Sequence, residues 1–270
     1  MVRDGSALLV AVGGANEGPY TLDHLWLVPL PAGEPRRLGN LDVTNADIFP
    51  DGRIVFAKFV PGTDAKGTDQ RADWFIADKD GSNPHKLVSL RGDFGFVSAA
   101  PDGQRILLSE EQGSDRRLLD LAADGTGLRQ IRKLTDEYGF RWTRDEKYIV
   151  YQSGTASRSD IWLLPIQTGL FRRPGKPIRL TNGPLPYSRP TPSRDGKQIF
   201  VLGITTGGAE PKAFRIRFAD HKIETITSLK NSHRAVNYRY TQINVAQNGS
   251  LIFTRDTGYQ EIYELNVRWP

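Results

Sequence analysis

Aromatic side chains recur at one place along this chain, shortly before short turn sequences of the Asp-Gly type. Four of them stand eight or nine residues before the last residue of such a turn: Phe94, Tyr138, Tyr187 and Tyr240. Three arginines lie near them: Arg141, Arg189 and Arg239. Tyrosine and arginine anchor protein partners efficiently, and a guanidinium suits a carboxylate. The spacing therefore predicts a site that recognises a partner, although the aromatics could equally close the ends of packed elements.

Motifs for covalent or metal chemistry are missing from the sequence. The chain has no cysteine, which excludes disulfides, thiolate catalysis and cysteine-based zinc sites. It contains no nucleophile elbow, phosphate-binding glycine loop or paired-histidine metal motif. Its four histidines fall at unrelated positions, and the DKDG segment at 78–81 is better interpreted as a hairpin turn than as a calcium loop. We expect no catalytic residue, metal or cofactor.

The turn sequences that accompany the aromatics form an internal repeat. They read VRDG (2–5), FPDG (49–52), APDG (100–103), TRDE (143–146), SRDG (193–196) and AQNG (246–249). A period of about 40–50 residues is typical of repeat architectures. We call these six segments the anchors. The chemistry-bearing residues must therefore be positioned by a repeated unit.

Each repeat contains several short β-strand patterns and none of the periodicity of a helix. An apolar run follows the anchor, as in RIVFAKF (53–59) and QIFVLGIT (198–205), and an aromatic-rich strand and a more polar strand come next. Continuous apolar runs bounded by turn residues are typical of buried strands. A small sheet with two apolar faces is buried when it is stacked radially between two neighbours. The pattern predicts an all-β fold, a six-bladed β-propeller with four-stranded antiparallel blades.

The repeat resembles that of the TolB-type, WD40-like bacterial β-propellers. The best matches are PDG at 50–52 and 101–103, DIWLLPI (160–166) with IRLT (178–181), and SRDGKQIF (193–200). The fourth and sixth anchors depart from the family pattern, with Glu146 in place of glycine and Asn248 in place of aspartate. The resemblance implies structural roles for the anchor residues, so Asp51, Asp102 and Asp195 are not expected to be catalytic. It also implies a periplasmic location, although the sequence shows no convincing signal peptide.

One tryptophan or tyrosine recurs in the aromatic-rich strands, where packing between blades is the expected role. The positions are Trp26, Trp74, Trp162 and Tyr263.

The sequence predicts one domain over 1–270, with blades at about 1–41, 42–92, 93–136, 137–184, 185–232 and 233–270. Blade 1 lacks an innermost strand in this division, and blade 6 lacks an outermost one. We therefore expect the chain to be the C-terminal part of a longer protein. The alternative is that residues 1–6 and 267–270 form improvised edge strands.

Charge and hydropathy narrow the possible partners. The formal net charge of +5 comes from basic residues scattered over every repeat, with acidic residues among them. This pattern indicates a solvated surface and predicts no specific nucleic-acid binding. No apolar run approaches the ~18 residues of a membrane span. The oligomeric state cannot be predicted from the sequence.

Three functions stay open at this point. The first is a non-catalytic module that presents loops at the channel mouth to a protein or peptide, and the resemblance suggests the sensor part of a bacterial regulator. The second is a propeller hydrolase or lyase acting on a sugar or lactone, for which the candidate carboxylates are Asp47, Asp93, Asp136 and Glu137. The third is weak, non-specific binding to nucleic acid or to another anionic surface, which only the basic isoelectric point suggests. We favour the first.

Overall fold

All regular structure in this protein is β-strand. The computed structural model describes residues 5–13, 23–30, 32–63, 70–92, 96–155, 157–167, 174–183, 185–204, 211–229, 243–246 and 248–253. Within these ranges there is no helix, and every ladder between two strands is antiparallel. The prediction of an all-β fold is confirmed.

Four sheets have four strands each, paired in sequence order. Blade 2 contains β4 (Asn45–Ile48), β5 (Ile54–Val60), β6 (Arg71–Ala77) and β7 (His85–Arg91). Blade 3 contains β8 (Val97–Ala99), β9 (Arg105–Gln112), β10 (Asp115–Ala122) and β11 (Arg129–Leu134). Blade 4 contains β12 (Glu137–Trp142), β13 (Tyr148–Gly154), β14 (Ser159–Pro165) and β15 (Ile178–Arg179). Blade 5 contains β16 (Tyr187–Pro192), β17 (Gln198–Ile204), β18 (Pro211–Arg217) and β19 (Ile223–Ser228).

The first and last sheets are smaller. Blade 1 has three strands, β1 (Ala7–Val12), β2 (Asp23–Pro29) and β3 (Arg36–Val43), and β20 (Ile243–Val245) pairs with β21 (Leu251–Phe253) in a two-stranded ladder. The prediction of six blades is therefore confirmed only in part: the described residues form five blades and this ladder, and blade 1 lacks one strand, as expected. The reason is that β1 follows the first anchor directly, while the further strands expected in blade 6 fall beyond residue 253, outside the described part.

The hydrophobic core lies in layers between neighbouring blades. In β5, Ile54 and Phe56 pack toward blade 1, whereas Val55 and Ala57 pack toward blade 3. The same alternation occurs in β9, β13 and β17. Successive side chains of a strand point to opposite faces, so a strand covered on both faces needs an unbroken apolar run. This explains the apolar sequence after each anchor.

The aromatic-rich strands take part in these layers. Trp74 is fully buried between blades 2 and 3, and Trp162 packs against the layer between blades 3 and 4. Packing between blades is therefore confirmed for these two residues. Trp26 is half-buried in β2, and Tyr263 lies outside the described residues.

The anchors are tight turns that join the first and second strands of a blade. In each of the five anchors from 49–52 onward, the side-chain oxygen of the third residue accepts a hydrogen bond from the backbone N–H two residues later, at 2.8–3.2 Å. The last residue has a positive φ in each, 57° at Glu146 and 68–92° at the glycines. The structural role predicted for the anchor residues is confirmed, because the aspartates are committed to their own turns.

Candidate functional site

The first strands of blades 2 to 5 and of the last ladder lie side by side in the propeller. We call β4, β8, β12, β16 and β20 the inner strands, and each contacts the next. Hydrogen bonds also join them: the Ala99 N–H of β8 donates to the Asp47 carboxylate of β4 at 2.9 Å, and the Thr191 hydroxyl of β16 donates to the Ile243 carbonyl of β20 at 3.0 Å. Side chains on these strands are thus held by their neighbours as well as by their own blade.

A depression of about 360 Å³ opens at the end where the inner strands begin. We call it the mouth depression. It is lined, among other residues, by Asn45, Phe96, Glu111, Tyr138, Arg141 and Arg189. Three of the seven residues predicted to form a binding site therefore lie together: Tyr138, Arg141 and Arg189.

Tyr138 presents its ring to solvent while its position is fixed from beneath. The residue is 48% exposed, and the Arg116 guanidinium lies 4.6 Å from the ring centroid. Arg116 is itself held by the Glu111 carboxylate at 3.0 Å and by the carbonyls of Thr135 at 3.0 Å and Glu137 at 3.2 Å. A cation placed over an aromatic face is attracted by the ring. The exposed tyrosine is consequently held in one orientation before any partner binds.

Arg141 extends from β12 across the inner wall. Its guanidinium lies 5.4 Å from the centroid of the Phe96 ring, and its Nη1 is 3.8 Å from Oδ2 of Asp47. Both oxygens of Asp47 already accept backbone hydrogen bonds, from Ile48 at 2.8 Å and from Ala99 at 2.9 Å. Among the described residues this long contact is the one ion pair that Arg141 makes, so donors on its guanidinium fork are available to a ligand.

Arg189 occupies a strained turn of the inner strand β16. Its φ of 56° is in the left-handed region, which costs a non-glycine residue about 1–2 kcal/mol. Its backbone N–H donates to Oε1 of Gln152 in blade 4 at 3.1 Å, which helps to hold this conformation. The register of β16 shifts between Ser188 and Thr191, and that of β12 shifts between Tyr138 and Arg141. Bulges of this kind redirect side chains, and here they occur at the same depth in two neighbouring blades.

Tyr187, which was predicted to lie beside Tyr138, is instead a core residue. It is 5% exposed and packs edge to face with Phe214, with ring centroids 5.5 Å apart. Burial raises the pKa of its hydroxyl. The reason is a single residue of offset, since Tyr138 lies eight positions before the end of its anchor and Tyr187 nine. In a strand, one step moves a side chain to the other face, so Tyr187 corresponds to the buried Glu137. Tyr187 therefore packs in the core, which is the alternative to a binding role that the sequence left open.

Four candidates fall outside the described residues: Asp93, Phe94, Arg239 and Tyr240.

The acidic pair at 136–137 builds the turn that enters β12. Oε2 of Glu137 accepts hydrogen bonds from the N–H groups of Thr135 at 2.6 Å and Asp136 at 3.2 Å, and Oε1 pairs with Arg132 at 2.8 Å. Oδ1 of Asp136 accepts the Ser153 hydroxyl at 2.8 Å. These contacts match a structural role rather than that of an acid and base pair.

A second cavity, of about 220 Å³, lies at the opposite end of the inner strands beside the anchors. We call it the turn-end cavity. Its lining includes Asp47, Ala99, Arg141, Trp142, Arg144 and Arg194. Sequence reasoning missed Arg144 and Arg194. The available signal was the second anchor position, which is proline at Pro50 and Pro101 but arginine at these two.

The described histidines do not assemble into a metal site. His24 pairs with Asp42 at 2.9 Å on blade 1, while His85 and His221 lie in blades 2 and 5. Within the described ranges, no three acidic, histidine or cysteine side chains are placed to hold a metal ion together. The DKDG segment is a hairpin turn between β6 and β7, as predicted, with the Gly81 N–H donating to the Asp78 carbonyl at 2.9 Å.

No segment of the described chain is a helix long and apolar enough to cross a membrane.

Comparisons of the fold with solved structures identify propellers. TolB from Acinetobacter baumannii is 17% identical with a TM-score of 0.65, and the match covers 93% of this chain and 62% of that one. A protein assigned as TolB from Agrobacterium tumefaciens is 15% identical with a TM-score of 0.64, covering 85% of this chain and 79% of that one. An oligogalacturonate lyase in complex with manganese is 12% identical with a TM-score of 0.60, covering 98% of this chain and 78% of that one.

Sequence comparisons do not assign this chain to a protein family. No protein-family model matches the chain. No curated protein matches it either. The chain spans less than two thirds of the length of the Acinetobacter TolB structure. At these identities the structural likeness concerns the fold alone, and with the antiparallel blades it shows that this chain folds as a β-propeller, as the two TolB structures do.

Proposed function

We propose that this propeller is a non-catalytic binding module that holds a protein or peptide partner at the mouth depression. The observation that carries the proposal is the combination of Tyr138, Arg141 and Arg189 around one opening. A half-exposed tyrosine ring flanked by two arginines has the composition of an energetic anchor in protein interfaces. The role would suit the sensor part of a bacterial regulator.

Preorganisation strengthens this interpretation. The Tyr138 ring rests on Arg116, whose guanidinium makes three hydrogen bonds to neighbouring groups. A side chain that is already ordered loses little conformational entropy when a partner binds. The volume of about 360 Å³ lies in the range of ligand pockets, about 300–1,000 Å³, and so has room for one or two partner side chains.

The carboxylates give less support to the enzyme alternative. Asp47 lies 3.8 Å from Arg141 and lines the turn-end cavity, but its two oxygens accept backbone hydrogen bonds. Glu137 and Asp136 hold the turn before β12. A sugar or lactone substrate needs an acid and a base within reach of one bond. A screen of glycosides and lactones in which turnover disappears on Asp47→Asn would favour the enzyme instead.

The proposal is tested by selecting peptides from a displayed library against the wild-type protein and measuring their affinity. Replacing Tyr138 with alanine should weaken binding by about 2 kcal/mol, roughly thirtyfold, because the anchoring ring is removed. The matched control is Leu128→Ala, which trims another exposed apolar side chain on the hairpin between β10 and β11. Equal affinity for all three proteins would contradict the proposal.

A further inference from the structure

The turn-end cavity brings arginines from consecutive blades to one place. Arg144 and Arg194 stand at the second position of their anchors, directly before Asp145 and Asp195, and both line the cavity. Because the anchors share one hydrogen-bonded turn geometry, equivalent positions recur at the same level around the propeller. Arg141 of the inner strand β12 lines the same cavity.

Arginines outnumber carboxylates in the described lining of this cavity. That lining has one acidic residue, Asp47, and three arginines, of which Arg194 makes a further contact of its own. The Asp47 oxygens accept two backbone hydrogen bonds, and Nη1 of Arg141 lies 3.8 Å from Oδ2 of Asp47. Among the described residues, Arg144 makes no hydrogen bond or ion pair through its side chain. The described lining therefore places more positive than negative groups around the space.

The rest of the lining leaves room for a ligand. Ser98, Ala99 and Ala100 contribute small side chains, and Trp142 supplies apolar surface. The volume of about 220 Å³ is below the ~300 Å³ at which drug-sized ligand pockets begin. Guanidinium groups present planar, paired donors that match carboxylate and phosphate oxygens. Size and charge together select a small oxyanion rather than a peptide.

We propose that the turn-end cavity binds a small molecule carrying carboxylate or phosphate groups, held between Arg144 and Arg194 with Arg141 at its inner side. This site is separate from the mouth depression. Arg141 lines both spaces, so a test that distinguishes this site from the proposed partner site leaves Arg141 intact.

The probes are inorganic phosphate and citrate, with glycerol as an uncharged comparison, each titrated calorimetrically and in thermal unfolding at constant ionic strength of about 0.15 M. At that salt concentration the screening length is about 8 Å, so diffuse attraction to exposed charge is weak. A ligand that binds only the folded state raises the melting temperature continuously once its concentration exceeds the dissociation constant, whereas the calorimetric binding isotherm saturates. We expect saturable binding of phosphate or citrate. If phosphate binds more tightly than citrate, the ligand carries a phosphate group; if citrate binds more tightly, the ligand is a carboxylate.

The variants are Arg144→Gln and Arg194→Gln, each expected to raise the dissociation constant at least tenfold. Arg144→Gln removes no described side-chain hydrogen bond, so it should fold as the wild type does, which circular dichroism checks. The matched control is Arg158→Gln, an exposed arginine on the hairpin between β13 and β14 that lines neither space; its affinity should stay within twofold. A calorimetric isotherm that does not saturate, or equal affinity in wild type and Arg144→Gln, would overturn the proposal.

Discussion

The two ends of the inner strands are built in different ways. At the turn end, five anchors repeat one hydrogen-bond pattern, with the same acceptor position and a positive φ at the last residue. At the mouth, β12 and β16 carry register shifts, whereas the ladder of β4 with β5 runs without one. A repeated turn fixes where a side chain will lie, while a bulge makes that placement depend on a single residue.

Neither end is expected to hold the propeller together, because the core lies in the layers between blades. Trp74→Ala tests this with the largest expected effect. Its side chain is fully buried between blades 2 and 3, so its removal should lower the free energy of unfolding by about 3–5 kcal/mol. Chemical denaturation measures the loss.

Trp26→Ala is the matched control, since Trp26 is half-buried in blade 1 and should cost clearly less. If the variant Trp74→Ala unfolded no more easily than the variant Trp26→Ala, stability would have to come from the turns or the mouth.

The anchors at the turn end should contribute a smaller, pH-dependent share. Oδ1 of Asp195 accepts the Ser193 hydroxyl at 2.5 Å and the Lys197 N–H at 3.0 Å, and these bonds lower the pKa of Asp195. A carboxylate whose pKa is depressed in the folded state stabilises the protein above its unfolded pKa, about 3.9, and loses that effect as the pH falls. Asp195→Ala should therefore cost about 1 kcal/mol at neutral pH, and less in acid.

The chain supplies its own control for this experiment. In the last anchor, Asn248 accepts the Ser250 N–H at 3.0 Å with an uncharged side chain. Asp195→Asn should accordingly keep most of the stability at pH 7 and flatten its decline below about pH 4. A decline in the variant Asp195→Asn as steep as that of the wild type would show that other groups cause it.

The contrast between the repeated turns and the bulged mouth also explains which parts of the structure the sequence predicts. The strands that follow the anchors in blades 2 to 5 were predictable because a strand packed on both faces needs a continuous apolar run, such as IVFA in β5 and ILL in β9. The turn geometry was predictable because aspartate and a residue tolerating positive φ recur in phase. Arg144 and Arg194 were predictable from the same phase, although they were missed.

The mouth was less predictable for a physical reason. Tyr138 and Tyr187 look equivalent along the chain, yet one is 48% exposed and the other 5%, because strand alternation turns an offset of one residue into opposite faces. Arg189 adopts a left-handed conformation that nothing in its residue type demands, and Gln152 of the neighbouring blade helps to hold it. Such details depend on contacts between blades, which the spacing of a repeat does not encode.

The smallest predicted effect concerns the anchor that departs from the repeat. Glu146 stands where the other described anchors have glycine, at a φ of 57°. The left-handed conformation costs a non-glycine residue about 1–2 kcal/mol. Replacing Glu146 with glycine removes this cost, but part of the gain is offset because glycine loses more conformational entropy on folding. Glu146→Gly should thus raise the free energy of unfolding by about 0.5 kcal/mol, measured by chemical denaturation.

The reciprocal change, Gly196→Ala at a φ of 68°, should lower the free energy of unfolding by about 1 kcal/mol. Glu146→Gln keeps a long side chain at this φ and so separates the loss of the carboxylate charge from the change of backbone. If both glycine exchanges shifted stability in the same direction, the five turns would not be equivalent, and the common level assigned to Arg144 and Arg194 would lose its basis.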